Sequence, residues 1–178
     1  YELGFKGLLP QYNLSFDMDV FQIDWDKMQL TATDAFTQVS YFTNAGKARS
    51  RGLEVTADWR PMRGLDVQAN ASWTDAVLRQ DIPQPAGAST VIGLAGDRIP
   101  GVAKFQSNLS VQQDFEIGHG LSAYVGGSWV YIGSRMGEFS DIVPPDPSAF
   151  GDRLELPSQS FVDLRAGVYN NDWSLKLY

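Results

Sequence analysis

The feature that most constrains this chain is a side-chain alternation of period two, sustained over arms of about nine residues. It is cleanest in "LEVTADWRPMRGLDVQANASW", residues 53 to 73. Before the Pro-Met-Arg-Gly turn, Leu53, Val55, Ala57 and Trp59 fall on one face, and Glu54, Thr56, Asp58 and Arg60 on the other. After it, Leu65, Val67, Ala69, Ala71 and Trp73 oppose Asp66, Gln68, Asn70, Ser72 and Thr74. Successive side chains of a strand point to opposite faces, so the pattern predicts an antiparallel hairpin with one apolar and one polar side.

The pattern recurs. Tyr12, Leu14, Phe16, Met18 and Val20 alternate with Asn13, Ser15, Asp17 and Asp19. Past Val20 the phase flips, and Phe21, Ile23 and Trp25 take the apolar positions, which predicts either a bulge or an exit from the apolar layer. Ala103, Phe105, Ser107, Leu109 and Val111 alternate with Lys104, Gln106, Asn108, Ser110 and Gln112. Leu121, Ala123, Val125, Gly127, Trp129 and Tyr131 form another face, and Val162, Leu164, Ala166 and Val168 alternate with Asp163, Arg165, Gly167 and Tyr169. With the partial runs "YELGFKG" and "WSLKLY", these make about eight strands. The stretches "LLPQ", "PMRG", "IGHG" and "NND" read as tight turns, whereas 31–38, 80–101 and 140–157 read as longer connections, the last two rich in Pro, Gly and Asp. Short and long connections alternate, so one end of the sheet carries turns and the other loops.

Alternation alone also fits a soluble antiparallel sheet with one wet face. Three features favour lipid. Strands in soluble sheets usually run about 5 to 6 residues, while these match the span of a tilted membrane-crossing strand. The connections sort by end, as in outer-membrane barrels. Large aromatics sit at strand ends, with Phe5, Trp59, Phe115 and Trp173 near tight turns and Trp73, Trp129 and Tyr131 toward the loops, as two interfacial girdles would require. Taken alone, the aromatics fit ordinary core residues equally well. Together the three features predict an all-β, antiparallel transmembrane β-barrel segment. Asp17, Asp19, Glu54, Asp58, Asp66, Lys104, Asp163 and Arg165 would then face a wet lumen, docking a plug or lining a ligand path. A mean hydropathy of -0.22 does not oppose this, because a barrel strand shows lipid only every second residue.

Other chemistry is thinly represented. Asp and Glu number 21 against 14 Lys and Arg, for a net charge of -7, and no basic run offers a nucleic-acid footprint. The absence of cysteine excludes a disulfide framework or thiolate metal site and leaves the compartment open. The single histidine, His119, lies in a Gly-His-Gly turn and reads as a solvated residue, so no metal centre is expected. No serine sits in a G-x-S-x-G elbow, so neither an enzyme nor a cofactor is expected. Asp17 and Asp19 share a strand face and could serve as an acid/base or cation pair, but wall charges are the better reading. Asp141, Asp146 and Asp152 lack the spacing and glycine of a calcium loop. The Asn-x-Ser matches at 13, 70 and 108 fall inside strands and read as chance. Tyr1 and the interrupted run "WSLKLY" read as cuts from something longer.

"NAGKARSRGLEVTADWRP", a short turn, and "LDVQANASWTDAVL" resemble the C-terminal barrel half of TonB-dependent outer-membrane receptors. "GDRIPGVAKFQSNLSV" is similar to that family's return strand after its next long loop, and "FVDLRAGVYNNDWSLKLY" to its penultimate hairpin. The resemblance spans essentially the whole chain. It implies that residues 1–178 are part of one 22-stranded barrel domain in the outer membrane of a Gram-negative cell, with the plug domain and final strand outside this stretch. It further implies import of a scarce nutrient, such as a ferric siderophore, cobalamin, haem or a glycan. The implied partners are the protein's own plug, outer-membrane lipid, the extracellular ligand and the TonB-ExbB-ExbD complex, reached through the N-terminal region. A passive porin or small barrel of about eight strands is the first alternative. A soluble β-sandwich carbohydrate-binding module is the second.

Overall fold

The computed structural model describes residues 1–33, 40–44, 46–82, 93–137, 139 and 153–178. The strands are β1 (Glu2–Leu9), β2 (Leu14–Asp26), β3 (Gln29–Thr33), β4 (Ser40–Asn44), β5 (Lys47–Trp59) and β6 (Leu65–Leu78). They continue as β7 (Phe105–Gly118), β8 (Leu121–Ile132), β9 (Arg135–Met136), β10 (Glu155–Leu156), β11 (Gln159–Tyr169) and β12 (Ser174–Leu177). Eight of them form one sheet in the order β1-β2-β5-β6-β7-β8-β11-β12, and every neighbouring pair is antiparallel. The six from β2 to β11 in that order run 11 to 14 residues, about twice the usual length in a soluble sheet.

The tight turns gather at one end because their residues tolerate left-handed backbone. Asn13 closes the β1–β2 turn at φ 49, and Gly118, His119 and Gly120 take φ 98, 53 and 75 in succession between β7 and β8. Asn170 closes the β11–β12 turn differently, its Oδ1 accepting from the amides of Asp172 at 2.8 Å and Trp173 at 2.9 Å. The longer connections β2–β5, β6–β7 and β8–β11 all leave from the opposite end.

Three points differ from the sequence reading, and in β2 the pairing decides between its two alternatives. The connection expected as a plain loop at 31–38 carries a hairpin, β3 paired with β4 from Gln29↔Asn44 to Thr33↔Ser40. Strands of five residues hold too few repeats for periodicity to register. The stretch 140–157 likewise includes β10, paired with β9. In β2 there is no bulge, since pairing with β5 is continuous from Leu14↔Trp59 to Asp26↔Lys47. Phe21, Ile23 and Trp25 therefore stay on the face of Asp17 and Asp19, and the strand has left the apolar layer, as the second of the two readings required. Finally, Lys104 lies one residue before β7 rather than in it, although its carbonyl accepts from the Thr74 amide at 2.9 Å. The tips at 34–39, 83–92 and 140–152, including Asp141, Asp146 and Asp152, lie outside the described residues.

Antiparallel partners share a face, so the ladders can be followed across the sheet. One row runs Leu9, Leu14, Trp59, Val67, Val111, Gly127 and Leu164. It begins against the β1–β2 turn and finishes in the middle of β11, and this progressive stagger is what tilted barrel strands produce. The apolar face it belongs to is uncovered. Leu3 is 77% exposed, Val162 67% and Leu164 72%. A soluble sandwich would press this face against a second sheet, and no such layer exists among the described residues. Among the described residues, the buried apolar ones are confined to the loop end: Met28, Ala48, Ala76, Leu78, Ile82, Ala103 and Phe139. β1 and β12 are not paired with each other, so the sheet is open at both edges.

Candidate functional site

The polar face is a wall of carboxylates and amides rather than a pocket. On its β1–β2–β5 side, Asp17, Asp19, Glu54 and Asp58 line a shallow groove with Lys6, Ser15 and Thr56. Register explains the crowding, since Asp19 lies directly opposite Glu54 and Asp17 opposite both Lys6 and Thr56. Lys6 Nζ reaches Asp17 Oδ2 at 2.7 Å. Gly4 leaves room for the Asp19 carboxylate, whose Oδ1 occupies the space a Cβ would take. At the turn end Arg60 Nε donates to Asp66 at 2.9 Å, and this bond, with the attraction of the same carboxylate, holds the guanidinium above its ordinary range. Arg63 pairs with Glu116 at 2.6 Å. Asp163, opposite Ser128, and Arg165, opposite Gly126, stand on the same face in β11. The wall thus joins the eight polar candidates along one side, with Lys104 at its margin.

The aromatic candidates fall on the apolar face or in the turns. Trp73 pairs directly with Phe105. Phe105 and Tyr131 rings lie 6.0 Å apart, and Tyr131 and Trp129 6.1 Å apart, so the loop-end aromatics form one continuous cluster. At the turn end Trp59 donates its indole N–H to the Tyr12 carbonyl at 3.1 Å. Phe5 packs 5.7 Å from Phe16, Phe115 opposes Ala123 near the Gly-His-Gly turn, and Trp173 lies in the β11–β12 turn.

Two features escaped the sequence reading. Beyond Val20 and Leu53 the apolar face becomes ionic, with Arg49 on Asp24 at 2.6 Å, Arg51 on Asp75 at 3.1 Å and Lys47 on Asp26 at 3.2 Å. The alternate basic residues of "KARSR" were the available signal. The second is the clamp under the loops. Met28, Ala48, Leu78, Ile82 and Phe139 pack together with Ile99. Arg98 Nη2 donates to the carbonyls of Val102 at 3.2 Å and Ser134 at 3.0 Å. Arg153 donates to those of Arg98 at 2.6 Å and Gly137 at 2.5 Å, with its guanidinium 4.2 Å from the Phe139 ring centre. The stems of the three longer connections therefore pack against one another at the loop end of the sheet.

Residues 1–178 match, over their whole length, the family model for the TonB-dependent receptor-like β-barrel. The chain belongs to the TonB-dependent receptor β-barrel family. That family is one of receptors and transporters, not of enzymes. Solved structures agree on the fold. The siderophore receptor PiuA of Acinetobacter baumannii superposes with a TM-score of 0.66 at 18% identity, over 98% of this chain and 22% of that one. BauA, the ferric preacinetobactin receptor of the same organism, gives 0.64 at 18% identity, over 96% and 22%. The ferric enterobactin receptor PfeA of Pseudomonas aeruginosa, as its G324V mutant, gives 0.57 at 16% identity, over 98% and 24%. The chain thus spans less than a quarter of the length of these receptors. At such identities the likeness is one of fold.

Proposed function

We propose that this TonB-dependent receptor segment is part of the wall of an outer-membrane barrel that imports a scarce nutrient, a ferric siderophore or a similar chelate. The observation that carries the reading is the division of one long-stranded sheet into a bare apolar face and an ionised polar face, with the clamped loop stems at one end only. Lipid covers the first face. The second lines a lumen that holds the plug domain, with Asp17, Asp19, Glu54, Asp58, Asp66, Lys104, Asp163 and Arg165 as wall charges. Phe5, Trp59, Phe115 and Trp173 form the inner girdle, and Trp73, Trp129 and Tyr131 the outer one. Residues 1–178 belong to a single barrel domain, and the loops capture ligand outside the cell. Energy for gating reaches the plug from the proton-motive force through TonB-ExbB-ExbD. The names of the similar solved receptors support a ferric chelate as the first ligand to test.

The test is growth and uptake in a strain lacking the full receptor. Across iron, cobalamin and carbon sources, the deletion should slow growth with a ferric chelate as sole iron source. Uptake of labelled ferric chelate by the parent should stop on adding a protonophore. Unchanged growth on all ferric chelates would overturn the ligand class, and uptake indifferent to the protonophore would overturn the energy coupling.

A further inference from the structure

Arg165 is a cation of the wall that neutral groups, rather than a carboxylate, hold in place. Lys6, Arg60 and Arg63, toward the turn end of the polar side, each lie within ion-pair distance of a carboxylate. Arg165 has no carboxylate at that distance among the described residues, and two neutral acceptors hold it instead. Its Nε donates to Gln112 Oε1 at 3.1 Å and its Nη2 to Ser110 Oγ at 3.1 Å. Both acceptors belong to β7, so the side chain crosses the whole of β8 to reach them. It crosses where β8 presents Gly126, the residue opposite both Gln112 and Arg165. A Cβ at Gly126 would come within 2.7 Å of the Val111 carbonyl oxygen, so this crossing point is kept bare. Gln112 is itself oriented, its Nε2 donating toward Asp114 at 3.4 Å.

Both acceptors are neutral, and Nη1 has no partner among the described residues. Planar forks of this kind match carboxylates, and pre-positioning lowers the ordering cost of the bond. We propose that Arg165 receives a carboxylate from the polypeptide that fills the lumen, an Asp or Glu of the plug, and so fixes the plug's orientation against β7, β8 and β11. This rests on the reading of the polar face as a lumen wall. A polypeptide occupant is favoured over a free anion by the carboxylates nearest Arg165, Asp163 two residues along the same face and Asp114 against Gln112, which repel a diffusing anion. A folded segment can instead bring cations to those carboxylates and one carboxylate to Arg165.

The test is hydrogen exchange on the full receptor in detergent, without added ligand, comparing the parent with Arg165→Glu, Arg165→Gln and Arg165→Lys. With β8 and β11 still protected, Arg165→Glu should speed exchange about tenfold in one plug segment containing an Asp or Glu, the equivalent of one charge-assisted hydrogen bond. Arg165→Gln, which removes the charge without adding repulsion, should act in the same direction, and Arg165→Lys should stay near the parent. Reversing that segment's carboxylate to Lys in the Arg165→Glu background should restore protection. Unchanged exchange throughout the plug in both Arg165→Glu and Arg165→Gln would overturn the proposal. So would a difference that arises only with citrate present as a probe anion, since the contact would then belong to a passenger. Labelling of Arg165→Cys separates the two levels: reaction with a water-soluble thiol reagent upholds the lumen, so that unchanged exchange then counts against the plug contact alone, whereas capture by a lipid-dissolved carbene overturns the lumen reading and this contact with it.

Discussion

At the scale of the residue, the chain shows how one side chain serves two surroundings. Trp59 lies on the apolar face at the turn end, yet its indole N–H bonds the Tyr12 carbonyl. Such amphipathic rings settle where hydrocarbon meets water. Trp59→Phe keeps the ring and loses the donor, so it should cost about 0.5–1.5 kcal/mol in equilibrium unfolding of the receptor from lipid vesicles. Gly52 makes a different point. A Cβ there would lie 2.4 Å from the Trp73 carbonyl oxygen and 2.7 Å from the Phe21 ring, and the carbonyl cannot rotate away. Gly52→Val should destabilise by about 1–3 kcal/mol in the same assay, and a cost near zero would show that the β5–β6 pairing is looser than the register implies. The aromatic positions were legible from sequence because strand phase and turn residues place them. Their partners were not, since Tyr12 and Trp59 are 47 residues apart and only the ladder brings them together.

At the scale of the element, legibility followed length. β5 and β6, at 13 and 14 residues, repeat the alternation often enough to declare face and extent. The hairpin β3–β4 and the two-residue β9 and β10 do not, and the Phe21 phase flip could not be told from a bulge until pairing with Gly52 was known. The loop clamp was invisible for another reason. Arg98 and Arg153 bind backbone carbonyls, which every residue offers, so no residue pattern marks the site. Its mechanical role is nonetheless testable. Leu78 is the most deeply buried side chain of the cluster, and its amide and carbonyl bond Asp97 and Gly96 across the β6–β7 stem. Leu78→Ala opens a cavity of the kind that costs about 2–5 kcal/mol in cores. It should therefore speed hydrogen exchange at Leu78, Ile82 and Gly96 while leaving the β7–β8 ladder protected. Uniform loss of protection in both places would mean the clamp and the sheet are one cooperative unit.

At the scale of the whole molecule, the sheet is neither closed nor covered among the described residues. Its edges β1 and β12 carry unpaired backbone groups, and one face exposes Leu3, Val162, Leu164 and their neighbours. Outside lipid or detergent these are two routes to association. Residues 1–178 expressed alone should therefore aggregate in detergent-free buffer, and a soluble monomer in sedimentation would count against the barrel account. The central claim is that one face meets lipid and the other does not. Val55 and Thr56 separate the two most directly, because they are adjacent in the middle of β5, between Leu53 and Trp59, and point to opposite faces. In the full receptor folded into lipid vesicles, Val55→Arg should cost about 2–4 kcal/mol of folding free energy and Thr56→Arg a small fraction of that. Equal costs at the two positions, or a larger one at Thr56, would contradict the account.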